Sequence, residues 1–373
     1  MQTPPLPTDL ALTLSSFAAR CGRPAGAVRD AYAARMRRGT GLELPGVTRV
    51  HAQADAVKLC VNVGTADGIP LEAEAVLVPM RGYAGTPWHT LCVSSQVGCR
   101  MGCPFCETGR MGLVQNLSAD AIVAQYLVAR CWGEPDAAGI RNVVFMGMGE
   151  PLDNLGPVVE ALRVLNDPAG LAIPLSRVTL STVGRPEGLH ALARLAVGPP
   201  WSELRLAISL HAATDARRDQ LVPVNRGAPL GVLREALLAY PLRRRGRFLI
   251  QYVLLADVND SLADADALAE WCRPLRCTVN VIPYNPQRVD GFARPEAGRV
   301  AAFLARVRAN GVFAKQRLTH GDDVFAACGQ LGNPARRARG PGETHSGLQK
   351  GGAAGLRSGH HVAAQRKVTP CTG

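Results

Sequence analysis

Cys99-Arg-Met-Gly-Cys103-Pro-Phe-Cys106 puts three thiols within eight residues, spaced C-x3-C-x2-C. Thiolates at that spacing can turn in one loop to meet three corners of a cubane iron–sulfur cluster. The fourth iron then lacks a protein ligand and is open to a small molecule. A zinc site usually adds a second C-x2-C pair, or a Cys/His pair, to complete its tetrahedron. No such pair follows here, since Cys272 and Cys277 lie five positions apart and flank a predicted strand. A structural zinc loop borrowing a distant His or Cys is the alternative.

Around this motif the chain alternates strands with helices. Strands are predicted at 89–95, 142–146, 177–181, 205–210, 248–254 and 278–283, with a last short one at 312–318. Helices are predicted between them at 118–131, 156–165, 186–196, 229–240, 262–272 and 297–309, with Ser118 as the first N-cap. Such alternation means parallel strands with right-handed crossovers, in an open sheet or a partial (β/α) barrel. Either architecture gathers its chemistry at the C-terminal ends of the strands. Polar, Gly-containing stretches fall there: Met146-Gly-Met-Gly-Glu150-Pro, Ser181-Thr-Val-Gly184, Ser209-Leu-His211 and Pro283-Tyr-Asn285-Pro. Before this core, residues 1 to about 50 form a short helical segment, clearest at 24–38. The core domain is expected over 55–332. Residues 333–373, rich in Gly, Arg, His and Ala, have too little apolar content to pack and are expected to be disordered.

Hydrophobic residues make up 47% of the 373, enough for a sizeable core. No apolar run approaches the ~18 residues of a membrane span, and no basic-then-apolar leader opens the chain. A soluble, cytoplasmic, monomeric protein is the expectation. The eleven cysteines form no evenly spaced disulfide framework, which suits a reducing compartment. The net charge of +12 favours a polyanionic partner such as RNA, although the stretch beyond residue 332 holds seven Arg or Lys against one Glu. Arg243-Arg-Arg245-Gly-Arg247 is a second basic run and a candidate phosphate patch.

Taken together the motifs carry a resemblance. C-x3-C-x2-C after a strand resembles the radical S-adenosylmethionine (SAM) superfamily. Leu91-Cys-Val-Ser-Ser-Gln-Val-Gly-Cys99, Gly147-Met-Gly-Glu150-Pro-Leu, Ser209-Leu-His211, Pro283-Tyr-Asn285-Pro and Gly321-Asp-Asp-Val-Phe-Ala-Ala-Cys328-Gly-Gln-Leu narrow it further. In that order they are similar to the RlmN/Cfr family of RNA adenine methyltransferases, from about Glu72 to Leu331.

The resemblance implies a partial (β/α)6 barrel and methylation of adenine at C2, or C8, in 23S rRNA, with tRNA a further candidate. Those ring carbons are electron-poor, so attack on a sulfonium methyl fails and a carbon radical is needed; the cofactor carries that chemistry. The implied cofactors are a [4Fe-4S] cluster on Cys99, Cys103 and Cys106, and two SAM molecules per turnover, with an unidentified electron donor. By motif match Cys328 carries the methyl group, Cys92 resolves the protein–RNA link by forming a disulfide, and Glu74 removes the ring proton. Glu72, two residues earlier on the same face, is the rival base. Gly149 and Glu150 are implied to meet the amino end of SAM. Ser181, Ser209, His211 and Asn285 are implied to meet its carboxylate, ribose or adenine, with Leu210 adding backbone only. The short N-terminal segment does not match the longer accessory domain of housekeeping RlmN proteins. Ser181-Thr-Val-Gly184 is closer to Cfr-like sequences, so C2 and C8 both stay open.

Two other classes compete. A radical enzyme acting on a peptide or small metabolite would need neither Cys92 nor Cys328. A non-enzymatic RNA-binding module would hold zinc and no iron–sulfur cluster.

Overall fold

The computed structural model describes residues 9–53, 56–66, 69–81, 85, 87–132, 139–287, 291–317 and 329–332. The expected tail at 333–373 and Cys328 lie outside the described residues.

Two helices come first, α1 (Leu14–Arg20) and α2 (Ala25–Arg38), followed by strands β1 (Val47–Gln53), β2 (Ala56–Ala66), β3 (Ile69–Arg81) and β4 (Pro87–Cys92). A hairpin of β5 (Gln96–Cys99) and β6 (Gly112–Asn116) encloses the short helix α3 (Glu107–Arg110). The chain then runs α4 (Ala119–Trp132), β7 (Ile140–Phe145), α5 (Leu155–Asn166), β8 (Val178–Thr182), α6 (Pro186–Leu195) and β9 (Arg205–Ser209). It continues through α7 (Asp215–Leu221), α8 (Leu230–Leu238), β10 (Phe248–Leu254), α9 (Leu262–Cys272), β11 (Cys277–Pro283), α10 (Ala297–Ala309) and β12 (Ala314–Gln316).

One ten-stranded sheet has the order β1-β2-β3-β4-β7-β8-β9-β10-β11-β12. From β4 to β12 every neighbour pair is parallel, as the strand–helix alternation predicts. β1 to β4 pair antiparallel, an extension of which the sequence predicts only β4, as the strand at 89–95. The sheet is strongly curved. The Arg317 guanidinium, just after β12, comes 3.3 Å from the Met146 sulfur, just after β7. Five strand spacings lie between them, which would span about 24 Å in a flat sheet. The parallel strands therefore curl into a partial barrel with a lumen.

Alternation along each strand assigns the two faces. Leu91, Val143, Leu180, Ile208 and Ile250 are buried toward the helices. Cys92 and Val144 pair in register, as do Ser209 and Gln251, Gln251 and Asn280. These occupy the lumen face, which is consequently the polar one.

The N-terminal helices are docked on the core. Phe17 stacks on Tyr32 at 5.6 Å, and Asp167, just after α5, accepts from the Leu14 N–H at 2.6 Å and the Tyr32 hydroxyl at 3.3 Å. Arg37 donates to the Gly170 and Pro168 carbonyls. Among the described residues no helix is long and apolar enough to cross a membrane.

Candidate active site

The C-terminal ends of β7 to β11 and the cysteine loop converge on one cleft. Cys99, Cys103 and Cys106 line it together with Gly149, Glu150, Ser181, Ser209, His211 and Asn285. The cysteine loop is shaped by close backbone approach. Gly98, at φ 74°, leaves no room for a Cβ against the Gly112 carbonyl, and a Cβ on Gly109 would lie 2.8 Å from the Cys103 carbonyl oxygen. Burial pushes all three thiols up. They reach the thiolate form near neutrality only beside a compensating positive charge such as cluster iron. Among the described residues no three His, Cys, Asp or Glu side chains gather tightly enough for a single metal ion. Three cysteines that line one cleft, two buried and Cys106 half-buried, are a donor set suited to three corners of a cubane cluster.

Glu150 follows two glycines that the site needs. A Cβ on Gly147 would sit 2.7 Å from the Val93 carbonyl oxygen, and one on Gly149, at φ 103°, 2.6 Å from the Gln96 Cβ. Gln96 accepts the Glu150 N–H at 2.8 Å. The Glu150 carboxylate accepts from the N–H groups of Leu152 (3.0 Å) and Val183 (2.8 Å), tying β7 to β8. Burial raises its pKa to about 7, against the opposing pull of hydrogen bonds from Thr182, Val183 and Leu152. A ligand ammonium is the natural partner for that carboxylate.

Ser181 and Ser209 face each other at 3.4 Å between their hydroxyl oxygens. His211 holds a left-handed backbone, φ 60°, which a non-glycine residue adopts only where its surroundings enforce it. Its Nδ1 accepts the Val253 N–H at 3.0 Å, so its proton sits on Nε2; burial pushes its pKa down to about 3 and keeps the ring neutral. Asn285 accepts from Arg294 at 2.8 Å. The Gln251 amide and the Tyr284 hydroxyl, both from residues lining the cleft, find no hydrogen-bond partner among the described residues. Unpaired buried polar groups of this kind suit a cleft that takes a polar ligand. The wall thus fits SAM bound at an open cluster iron.

Cys92, Glu74 and Leu210 are not among the residues that line this cleft. Cys92 pairs with Val144, one row below Met146, and Leu210 is fully buried with its N–H donated to the Gln251 carbonyl at 3.0 Å. Glu74 is buried beside Lys58 at 3.5 Å, and it accepts the Gly332 N–H at 3.2 Å. Glu72 instead pairs with Arg49 and Thr48. Cys328 is not among the described residues, but the four residues after it are pinned to the cysteine loop. Gly329 accepts the Glu107 N–H at 2.8 Å, and Leu331 accepts the Thr108 hydroxyl at 2.5 Å.

Sequence reasoning missed two charged residues in this shell, Lys58 and Arg218. Arg218 is 1% exposed and donates to the carbonyls of Val183 (2.7 Å), Leu210 (3.1 Å) and Ser209 (3.3 Å), and to Asn225 (2.8 Å). Its sequence signal was only proximity to Ser209-Leu-His211. The basic run at 243–247 lies at the other end of the sheet. Arg247 donates to the Cys277 carbonyl at the start of β11, and Arg276 holds the carbonyls of Leu242, Arg243 and Arg244.

Residues 93–268 match the family model of the radical SAM superfamily. The chain is 42% identical over 293 residues to the dual-specificity RNA methyltransferase RlmN of Syntrophobacter fumaroxidans, covering 78% of this chain and 81% of that protein. It is 45% identical over 289 residues to a probable RNA methyltransferase of Sorangium cellulosum, covering 77% and 69%. The crystal structure of a radical SAM methyltransferase from Sphaerobacter thermophilus superposes with a TM-score of 0.76 at 35% identity, covering 87% of this chain and 99% of that one.

Proposed function

The chain belongs to the RlmN family of radical SAM RNA methyltransferases, and on that premise we propose that it methylates an adenine ring carbon, C2 or C8, in 23S rRNA through a methylated cysteine. The words "dual specificity" in its relatives' names accord with tRNA as a second substrate. The observation that carries the reading is the segment 329–332, bonded to the loop of Cys106 and to Glu74. The residue before that segment is Cys328, so one short stretch links the proposed methyl carrier, the cluster loop and the proposed base.

When bound, the cluster and SAM supply a methyl group and, on reductive cleavage, a 5′-deoxyadenosyl radical. Two SAM molecules serve each turnover, one for each task, and an unidentified donor provides the electron. Glu150 faces the ammonium of SAM, with Gly149 allowing the close approach. Ser181, Ser209, His211 and Asn285 orient the rest of the molecule. Cys328 would take the methyl on its thiolate, releasing S-adenosylhomocysteine, and that methyl, after giving one hydrogen atom to the 5′-deoxyadenosyl radical, would add to the adenine ring. Glu74 would receive the ring proton, and the unpaired electron of the adduct would pass to the oxidised cluster that Cys99, Cys103 and Cys106 would hold. Cys92 then attacks the Cys328 sulfur, a disulfide forms, and the released base takes a proton to complete its methyl group. Reaching C2 or C8 requires the adenine to leave its stack, so the substrate is a splayed RNA loop.

Mass spectrometry of adenosines from rRNA and tRNA, from cells with and without the gene, tests the proposal. A missing C2- or C8-methyladenosine is expected. Full turnover by Cys328→Ala would overturn it.

A further inference from the structure

Lys58 belongs to no motif, yet it is one of few lysines in the chain and its side chain is only 5% exposed. A buried ammonium is retained where it is paired and has work to do. Its Nζ lies 3.5 Å from Oε2 of Glu74, whose side chain is equally buried. The register explains the meeting. Lys58 pairs with Val76 and Cys60 with Glu74 across antiparallel β2 and β3, so Lys58 and Glu74 are diagonal neighbours on one face. Val76 in turn pairs with Cys92, which places that face on the lumen.

Glu74 is held from several sides. Gly332 donates its N–H to the same Oε2 at 3.2 Å, and Ser94 donates its hydroxyl to the Glu74 carbonyl at 2.7 Å. Among the described residues, the charged or titratable groups near Glu74 are Lys58 and Cys60 from β2, Arg49 from β1, Glu72 from β3 and Cys92 from β4. Arg49 is committed to Glu72, and burial keeps the Cys60 thiol protonated, its pKa pushed up to about 12. Arg49 also acts on Glu74 electrostatically, and Lys58 is the cation that the described residues place in contact with this carboxylate.

We propose that Lys58 is a positioning residue that holds the Glu74 carboxylate aimed at the ring proton of the target adenine. The inference rests on the reading of Glu74 as the base. In the step concerned, the C–H bond breaks, its electron pair stays in the ring and the proton goes to the carboxylate. Oε2 is held between the Lys58 ammonium and the Gly332 N–H, so losing the ammonium frees the carboxylate to turn away from the ring.

The test uses reconstituted full-length enzyme and RNA carrying deuterium at the reacting ring carbon. Lys58→Met should slow methyl-RNA formation by about tenfold or more and develop a primary deuterium isotope effect, because proton removal has become limiting. Methylation of Cys328 and the first turnover of 5′-deoxyadenosine should stay at wild-type rates, and Lys58→Arg should recover much of the loss. Turnover by Glu74→Gln at the wild-type rate would remove the premise. Loss in Glu74→Gln with normal, isotope-insensitive turnover in Lys58→Met would overturn the role of Lys58 alone. Should Lys58→Met fail to fold by circular dichroism, Lys58→Gln carries the same test. Failure of both to fold, or an equal loss in 5′-deoxyadenosine formation, would make the pair purely structural and overturn the proposal.

Discussion

Glu150 combines burial, two accepted N–H bonds and a raised pKa of about 7. Its ordinary value is near 4.5, so in the ligand-free protein the carboxyl is largely protonated below pH 7. The proposed pairing with the SAM ammonium would require the ionised form, and binding would then release a proton. The sign follows: SAM affinity should fall as pH drops below 7, by at most about tenfold per unit. Equilibrium dialysis of SAM from pH 5.5 to 8.5 measures it. Glu150→Gln should bind weakly with a flat profile, and an unchanged slope in that variant would assign the proton elsewhere. His211 adds no such dependence, since its ring stays neutral throughout this range.

Among the elements, α7 matters most to the site through a single side chain. Arg218 reaches from it to the ends of β8 and β9, bonding three carbonyls and Asn225, which is itself held by Asp215 (2.9 Å) and Asp219 (2.7 Å). Replacing Arg218 by Met leaves those buried acceptors unpaired and should cost about 3 kcal/mol of stability, read from the denaturant midpoint. Because Ser209 and His211 lose their backing, SAM affinity should fall as well. Lys would reach too few of the acceptors to restore either. Other elements were legible beforehand: the helix expected at 297–309 is α10 and the strand expected at 248–254 is β10, both carrying apolar residues on a regular period. β2 and β3 were harder to read. Their alternating polar residues, Lys58, Cys60, Glu72 and Glu74, face a lumen or its rim, whereas alternation alone suggests a solvent face. Arg218 was illegible for a related reason, since an arginine in a short polar helix looks exposed until the strand-end carbonyls are seen around it. The cysteine loop and strand-end stretches stood out because their residue types repeat at the C-terminal ends of successive strands.

At the scale of the molecule, the curled sheet has two ends with different work. The cleft, the cysteine loop and the segment 329–332 are at the C-terminal end of the parallel strands. The arginines at 243–247 are at the other end, where the chain enters β10, and two of them, Arg243 and Arg247, have a structural task on Glu203 and the Cys277 carbonyl. Arg243 pairs with Glu203 at 3.3 Å, and Arg276 binds the carbonyls of the turn. An RNA loop that delivers an adenine to the cleft cannot also lay its flanking phosphates on that turn without wrapping the length of the barrel. Arg244→Glu with Arg245→Glu should therefore leave RNA affinity within about twofold, and the slope of log affinity against log salt should change by less than about one. Filter binding across a salt series reads both quantities. A drop in slope of about two, with affinity falling in step, would mean that RNA does wrap the barrel and that the basic turn is a second phosphate site.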